Sequence, residues 1–104
     1  MSTVTTHVLD TSRGRPAAGV PVALEDADGN GIGSGATDAD GRINDLGPDD
    51  LPSGTYRLLF GTAAYLGDDT FYPEVTVTFR VTAGEHHHVP LLLSRYGYTT
   101  YRGS

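Results

Sequence analysis

Apolar residues recur at every second position in several short runs, a period that places alternate side chains on opposite faces of an extended chain. The clearest run is residues 74–81, where Val75, Val77, Phe79 and Val81 alternate with Glu74, Thr76, Thr78 and Arg80. Residues 20–25 repeat the pattern with Val20, Val22 and Leu24, and residues 55–61 set Tyr56, Leu58 and Phe60 against Arg57 and Leu59. Further strands are expected over residues 5–10, 32–37, 86–93 and 98–102. Turn chemistry separates them: Ser12 to Pro16, Asp28-Gly29-Asn30-Gly31, Asp38-Ala39-Asp40-Gly41, the polar loop at 47–54, and Ala83-Gly84. One short helix is expected over residues 62–67, with Thr62 as its cap and Gly67 at its end. About eight strands with turns every eight to twelve residues or so predict an all-β, two-sheet antiparallel sandwich rather than a barrel.

Composition narrows this picture. Fourteen glycines and six prolines among 104 residues suit short strands cut by turns, and the length suits a single domain over residues 1–104. The chain has no cysteine, which excludes disulfides, thiolate nucleophiles and cysteine metal sites. Seven basic residues, all arginine, stand against 13 acidic ones for a net charge of -6, so nucleic acid is not an expected partner. The longest apolar stretch, Val89-Pro90-Leu91-Leu92-Leu93, falls far short of the ~18 residues of a membrane span. The first residues carry neither a basic leader nor an apolar signal core, so the expected location is the cytoplasm.

Chemistry concentrates in a few side chains. The four histidines are His7 and the run His86-His87-His88. On a strand His86 and His88 share one face and His87 takes the other. Two readings stand for them: a metal site joining His7, His86, His88 and a carboxylate, or a solvated run on an edge strand. His88 differs from its neighbours because it immediately precedes the apolar run at 89–93. Arg42 follows an Asp-Gly turn; its planar guanidinium suits a carbonyl-rich or anionic small molecule, or else pairs with Asp38, Asp40 or Asp45. The aromatic tail from Tyr96 to Ser104 reads equally as an edge strand, a dimer contact or a pocket wall. Phosphate loops, GxSxG elbows and HExxH signatures are absent.

Three segments together resemble the 5-hydroxyisourate hydrolase family. They are Thr5-Thr6-His7-Val8-Leu9-Asp10-Thr11 with Gly14, Pro16 and Ala17; then Asp40-Gly41-Arg42; then His88-Val89-Pro90-Leu91-Leu92-Leu93-Ser94 with Tyr101-Arg102-Gly103-Ser104. Phe71-Tyr72-Pro73-Glu74-Val75 fits the same family. Transthyretin, the hormone carrier of that fold, is similar in its strands but lacks the catalytic histidines and the Tyr-Arg-Gly-Ser ending.

The resemblance implies a transthyretin-like sandwich of two four-stranded sheets, assembled as a homotetramer, a dimer of dimers, with substrate sites in the channel between dimers. It implies an active site of His7, Arg42, His88 and Ser104, with His7, Arg42 and Tyr101 contacting substrate. His86 and His87 match no motif position, and Arg95 stands where the family usually has proline. The implied reaction opens the six-membered ring of 5-hydroxyisourate in urate degradation. It needs an activated water, a stabilised oxyanion and a proton for the leaving nitrogen, with no cofactor and no metal. Either His7 or His88 can serve as the base. The other reading is a non-enzymatic ligand carrier or protein-binding sandwich.

Overall fold

Period-two alternation becomes burial once the strands pair. The computed structural model describes residues 3–104. In chain order it runs β1 (Val4–Asp10), β2 (Arg15–Pro16), β3 (Pro21–Asp26), β4 (Gly31–Ala36), β5 (Arg42–Ile43), β6 (Gly54–Phe60), α1 (Thr62–Leu66), β7 (Val75–Val81), β8 (His87–Leu93) and β9 (Tyr98–Thr100). One sheet has the order β4-β3-β6-β7 and is antiparallel throughout. The other has the order β2-β1-β8-β9, with β5 also pairing to β1. Val22 and Leu24 of the first sheet, with Tyr56, Leu58 and Phe60, bury against Val4, Val8, Val89, Leu91 and Leu93 of the second. This is the expected all-β sandwich with one short helix.

Three details depart from the sequence reading. The β1 and β8 strands run parallel, in register from Val4 opposite His87 to Asp10 opposite Leu93, within a sandwich that is otherwise antiparallel. Side-chain alternation is the same for either direction, so the pattern alone does not disclose it. Two strands have only 2 residues each, too short for any periodicity, and they raise the number among the described residues to nine. Thr62 is not the helix cap: Gly61 takes that position, while buried Thr62 turns its hydroxyl to the carbonyl of Tyr72.

The end of β1 is held by a buried carboxylate. Asp10 accepts hydrogen bonds from the Ser12 amide and hydroxyl, the Arg13 amide and the Tyr65 hydroxyl of α1, the last at 2.7 Å. Burial alone would raise the Asp10 pKa, but the bonds from Ser12, Tyr65 and Arg13 outweigh it and hold the carboxyl below its ordinary value. Tyr65 responds oppositely, pushed up by burial and by its bond to Asp10.

Candidate active site

The outer face of the β1–β8 sheet gathers the candidate side chains. Thr6 and Val8 of β1 point into the core, so Thr5 and His7 point outward. Arg42 lies directly opposite His7 in the β1–β5 pair and therefore shares its face, while Ile43 beside it is buried. His88 lies alongside Thr5 in the parallel pair. The pleat thus brings His7, Arg42 and His88 together on one surface, from three strands.

The turn before β5 sets Arg42 in place. Asp38 Oδ1 accepts the amides of Asp40 and Arg42, both at 2.9 Å, and Gly41 follows with φ 77°. A Cβ at Gly41 would stand 2.4 Å from the Val8 carbonyl oxygen, so only glycine lets this turn lie against β1. Asp38 therefore binds the backbone of Arg42. Among the described residues the guanidinium has no ion-pair partner, which answers the expectation of a pair with Asp38, Asp40 or Asp45.

The two site histidines sit in different surroundings. His7 Nε2 lies 2.9 Å from the Asp40 carbonyl oxygen. A carbonyl only accepts, so Nε2 carries a proton and the neutral ring keeps Nδ1 bare. Half-buried His88 has its pKa pushed below the ordinary histidine value by burial first, then by the charges of Arg42, His7 and His86. Its ring is accordingly neutral at neutral pH. Thr5 Oγ1 lies 2.8 Å from His88 Nδ1, leaving Nε2 as the ring nitrogen open to other groups.

The tail reaches this ring through Gly103. Its amide donates to the His88 carbonyl at 2.8 Å, and a Cβ there would stand 2.5 Å from His88 Cδ2. Glycine is required because the imidazole edge occupies that space. Ser104 follows one residue later and is exposed, as is Tyr101. The strand expected over residues 98–102 is shorter, Tyr98–Thr100, and its residues are exposed. Tyr98 packs edge-on against Tyr72 at 5.1 Å, and Arg102 pairs with Glu85 at 3.2 Å.

The histidine run divides as the pleat requires. His87 is only 4% exposed, on the core side, with its Nε2 accepting the Thr82 amide at 3.1 Å. The solvated reading therefore fails for His87 and holds for His86, which is exposed. His86 nevertheless joins the site, because its Nε2 lies 2.9 Å from the same Thr5 hydroxyl that meets His88. From sequence Thr5 had no role and His86 had only a place in the metal-site reading. The signal was present in their spacing: each stands two residues before a site histidine and so shares its face. Among the described residues no group of three His, Asp or Glu side chains is placed to hold a metal ion. Arg95 is drawn away, its guanidinium paired with Asp69 and its carbonyl accepting from Thr70 and Phe71.

Known proteins resemble this chain along nearly its whole length. The Salmonella typhimurium "5-hydroxyisourate hydrolase" is 49% identical over 106 residues, covering 94% of this chain and 78% of that protein. The solved 5-hydroxyisourate hydrolase of Klebsiella pneumoniae superposes with a TM-score of 0.89 at 36% identity, covering 97% of this chain and 98% of the other. Sea bream transthyretin in complex with thyroxine superposes with a TM-score of 0.88 at 33% identity, covering 97% and 94%. The family model described as "HIUase/Transthyretin family" matches residues 4–103, a span that takes in both sheets, the Asp-Gly-Arg turn and the tail as far as Gly103. The chain belongs to the HIUase/Transthyretin family.

Proposed function

We propose that this chain is a hydrolase that opens the ring of 5-hydroxyisourate, giving 2-oxo-4-hydroxy-4-carboxy-5-ureidoimidazoline in urate degradation. The observation that carries the reading is the convergence of His7, Arg42 and His88 on one outward face, where burial holds the His88 pKa down and the Arg42 guanidinium has no ion-pair partner among the described residues. In this reading His88 Nε2 takes a proton from the attacking water. Arg42 donates charge-assisted hydrogen bonds to the attacked carbonyl, whose oxygen gains charge as water adds. His7, with Nε2 fixed on Asp40, offers Nδ1 to orient the water or a substrate N–H. Tyr101 contacts the substrate, and the Ser104 hydroxyl steadies the water.

The 104 residues act as one domain in this reading, in the cytoplasm, and four copies assemble as a dimer of dimers with the outward faces lining a channel. Support comes from the exposed aromatics Phe71, Tyr72, Tyr96, Tyr98 and Tyr101, an unusual load of apolar surface for a small monomer. Among the described residues no helix is long and apolar enough to cross a membrane. The deciding experiment generates 5-hydroxyisourate with urate oxidase and follows its ultraviolet absorbance. Decay accelerated by this protein supports the hydrolase, and decay at the spontaneous rate overturns it. Light scattering during turnover reads the assembly, and a fully active monomer removes the channel from the account.

A further inference from the structure

We propose that Thr5 is a positioning residue whose hydroxyl couples the protonation of His88 to that of His86, making His86 the port through which the site exchanges protons with solvent. The inference rests on the hydrolase reading and extends it to two residues outside the catalytic set. Its basis is geometric. Thr5 Oγ1 stands 2.8 Å from His88 Nδ1 and 2.9 Å from His86 Nε2, the two rings lie 6.5 Å apart and 21° from parallel, and Thr5 is only 3% exposed. A threonine hydroxyl has a single proton to donate. Its oxygen could accept from both rings only if its own proton had another acceptor, and among the described residues no other bond of this hydroxyl is made. When both rings are neutral and both bonds are made, one of the two nitrogens facing Thr5 therefore carries a proton and the other does not. The tautomers of the two rings are therefore linked.

Hydrolysis gives such a link a use. One proton of the attacking water passes by way of His88 to the leaving nitrogen, and the other is lost directly to solvent as the new acid ionises. The link keeps the half-buried His88 ring neutral between its two transfers. His88 is half-buried, whereas His86 is exposed. In the state ready to act, His88 carries its proton on Nδ1, donated to Thr5, and Thr5 donates to His86 Nε2. When His88 Nε2 takes the water proton, the Nδ1 proton passes to Thr5 Oγ1 while the Thr5 proton passes to His86 Nε2. His86 then releases its Nδ1 proton to solvent. As His88 Nε2 gives its proton to the leaving nitrogen, the same chain runs in reverse: Thr5 refills Nδ1, His86 Nε2 refills Thr5, and solvent refills His86 Nδ1. Every bond to hydrogen that breaks is matched by one that forms. Other charges around the two rings are His7 of β1, Arg42 of β5, and the Arg102–Glu85 pair beside His86.

Three variants and a spectrum test this. Thr5→Val keeps the branched shape and deletes the hydroxyl; it should lower kcat by about tenfold or more with little change in KM, and Thr5→Ser should restore it. His86→Ala, at an exposed position where folding is not at risk, should lower kcat, and added imidazole buffer should recover it. In nitrogen-15 histidine spectra of the unliganded protein, the tautomers of His86 and His88 should be complementary, and in Thr5→Val they should become independent. A Thr5→Val kcat within twofold of the wild type overturns the relay, as does an unchanged His88 tautomer ratio or a His86→Ala loss that imidazole does not recover. Wild-type protein that leaves 5-hydroxyisourate to decay spontaneously overturns the hydrolase reading instead, while the spectra still report whether Thr5 links the rings.

Discussion

The two faces of the β1–β8 pair are built from the same stretches of chain and have opposite economies. Inward, Val4, Val8, Val89, Leu91 and Leu93 are nearly or fully buried, and the buried Thr6 hydroxyl spends its proton on the Val89 carbonyl at 2.6 Å. Outward, His7 is bonded to the Asp40 carbonyl, half-buried His88 to the Thr5 hydroxyl, and Arg42 has no ionic partner among the described residues. Removing an inward side chain leaves a cavity; removing an outward one gives up a hydrogen bond at the surface and opens no void in the core. On the proposed reading, stability is concentrated on one side of the pleat and reactivity on the other. Neighbouring residues 87 and 88 fall on opposite sides of that division.

Substitutions on each face test it. The largest effect belongs outside: Ala at His7, Arg42 or His88 should each reduce turnover by about 100-fold or more, with the fold retained. Loss of the fold together with activity would erase the division. The acid limb of the wild-type pH profile should lie below the ordinary histidine value, because protonating His88 removes its base and its pKa is depressed. Inside, Leu91→Ala should cost about 2–5 kcal/mol in denaturant unfolding while the folded fraction turns over at close to the wild-type rate.

Smaller effects sharpen the boundary. Gly103→Ala sets a methyl against the His88 ring and should cut turnover by about tenfold, with unfolding changed by less than about 1 kcal/mol. His87→Phe should change turnover by less than about twofold. Its Nδ1 is buried without a partner, so an apolar ring of similar shape forfeits one bond from the Thr82 amide and relieves one unmet donor. A large activity loss in His87→Phe, read at unchanged melting temperature, would move His87 across the boundary.

Sequence made the inward face legible and the outward one only in part. Val75, Val77, Phe79 and Val81, or Tyr56, Leu58 and Phe60, announce themselves because burial demands apolar residues at a fixed period. The placement of Arg42 beside His7 depends on a two-residue strand created by the Gly41 turn, and no periodicity exists at that length. Family resemblance brought His7, Arg42 and His88 forward as a set; the register explains how they meet. Thr5 stayed hidden because a threonine in a strand is ordinary, and only its distances to two rings distinguish it. His87 was misjudged because its burial follows from its place on the core side of β8, where its ring meets the Thr82 amide just beyond β7, a tertiary fact invisible in a run of three histidines.

The parallel pairing of β1 with β8 also carries a consequence for how the protein is made. The Thr6 hydroxyl and the Val89 carbonyl that it bonds are separated by 83 positions. During synthesis β1 emerges well before β8, and the edge it shares with β8 must wait unpaired until β8 leaves the ribosome. Every earlier contact within the β3–β4–β6–β7 sheet can form meanwhile, since each of those pairings joins strands closer in sequence. Loop closure over so long a span is slow relative to local hairpins. The face proposed to carry the chemistry therefore matures last, and a nascent chain without β8 lacks both the partner of β1 and His88.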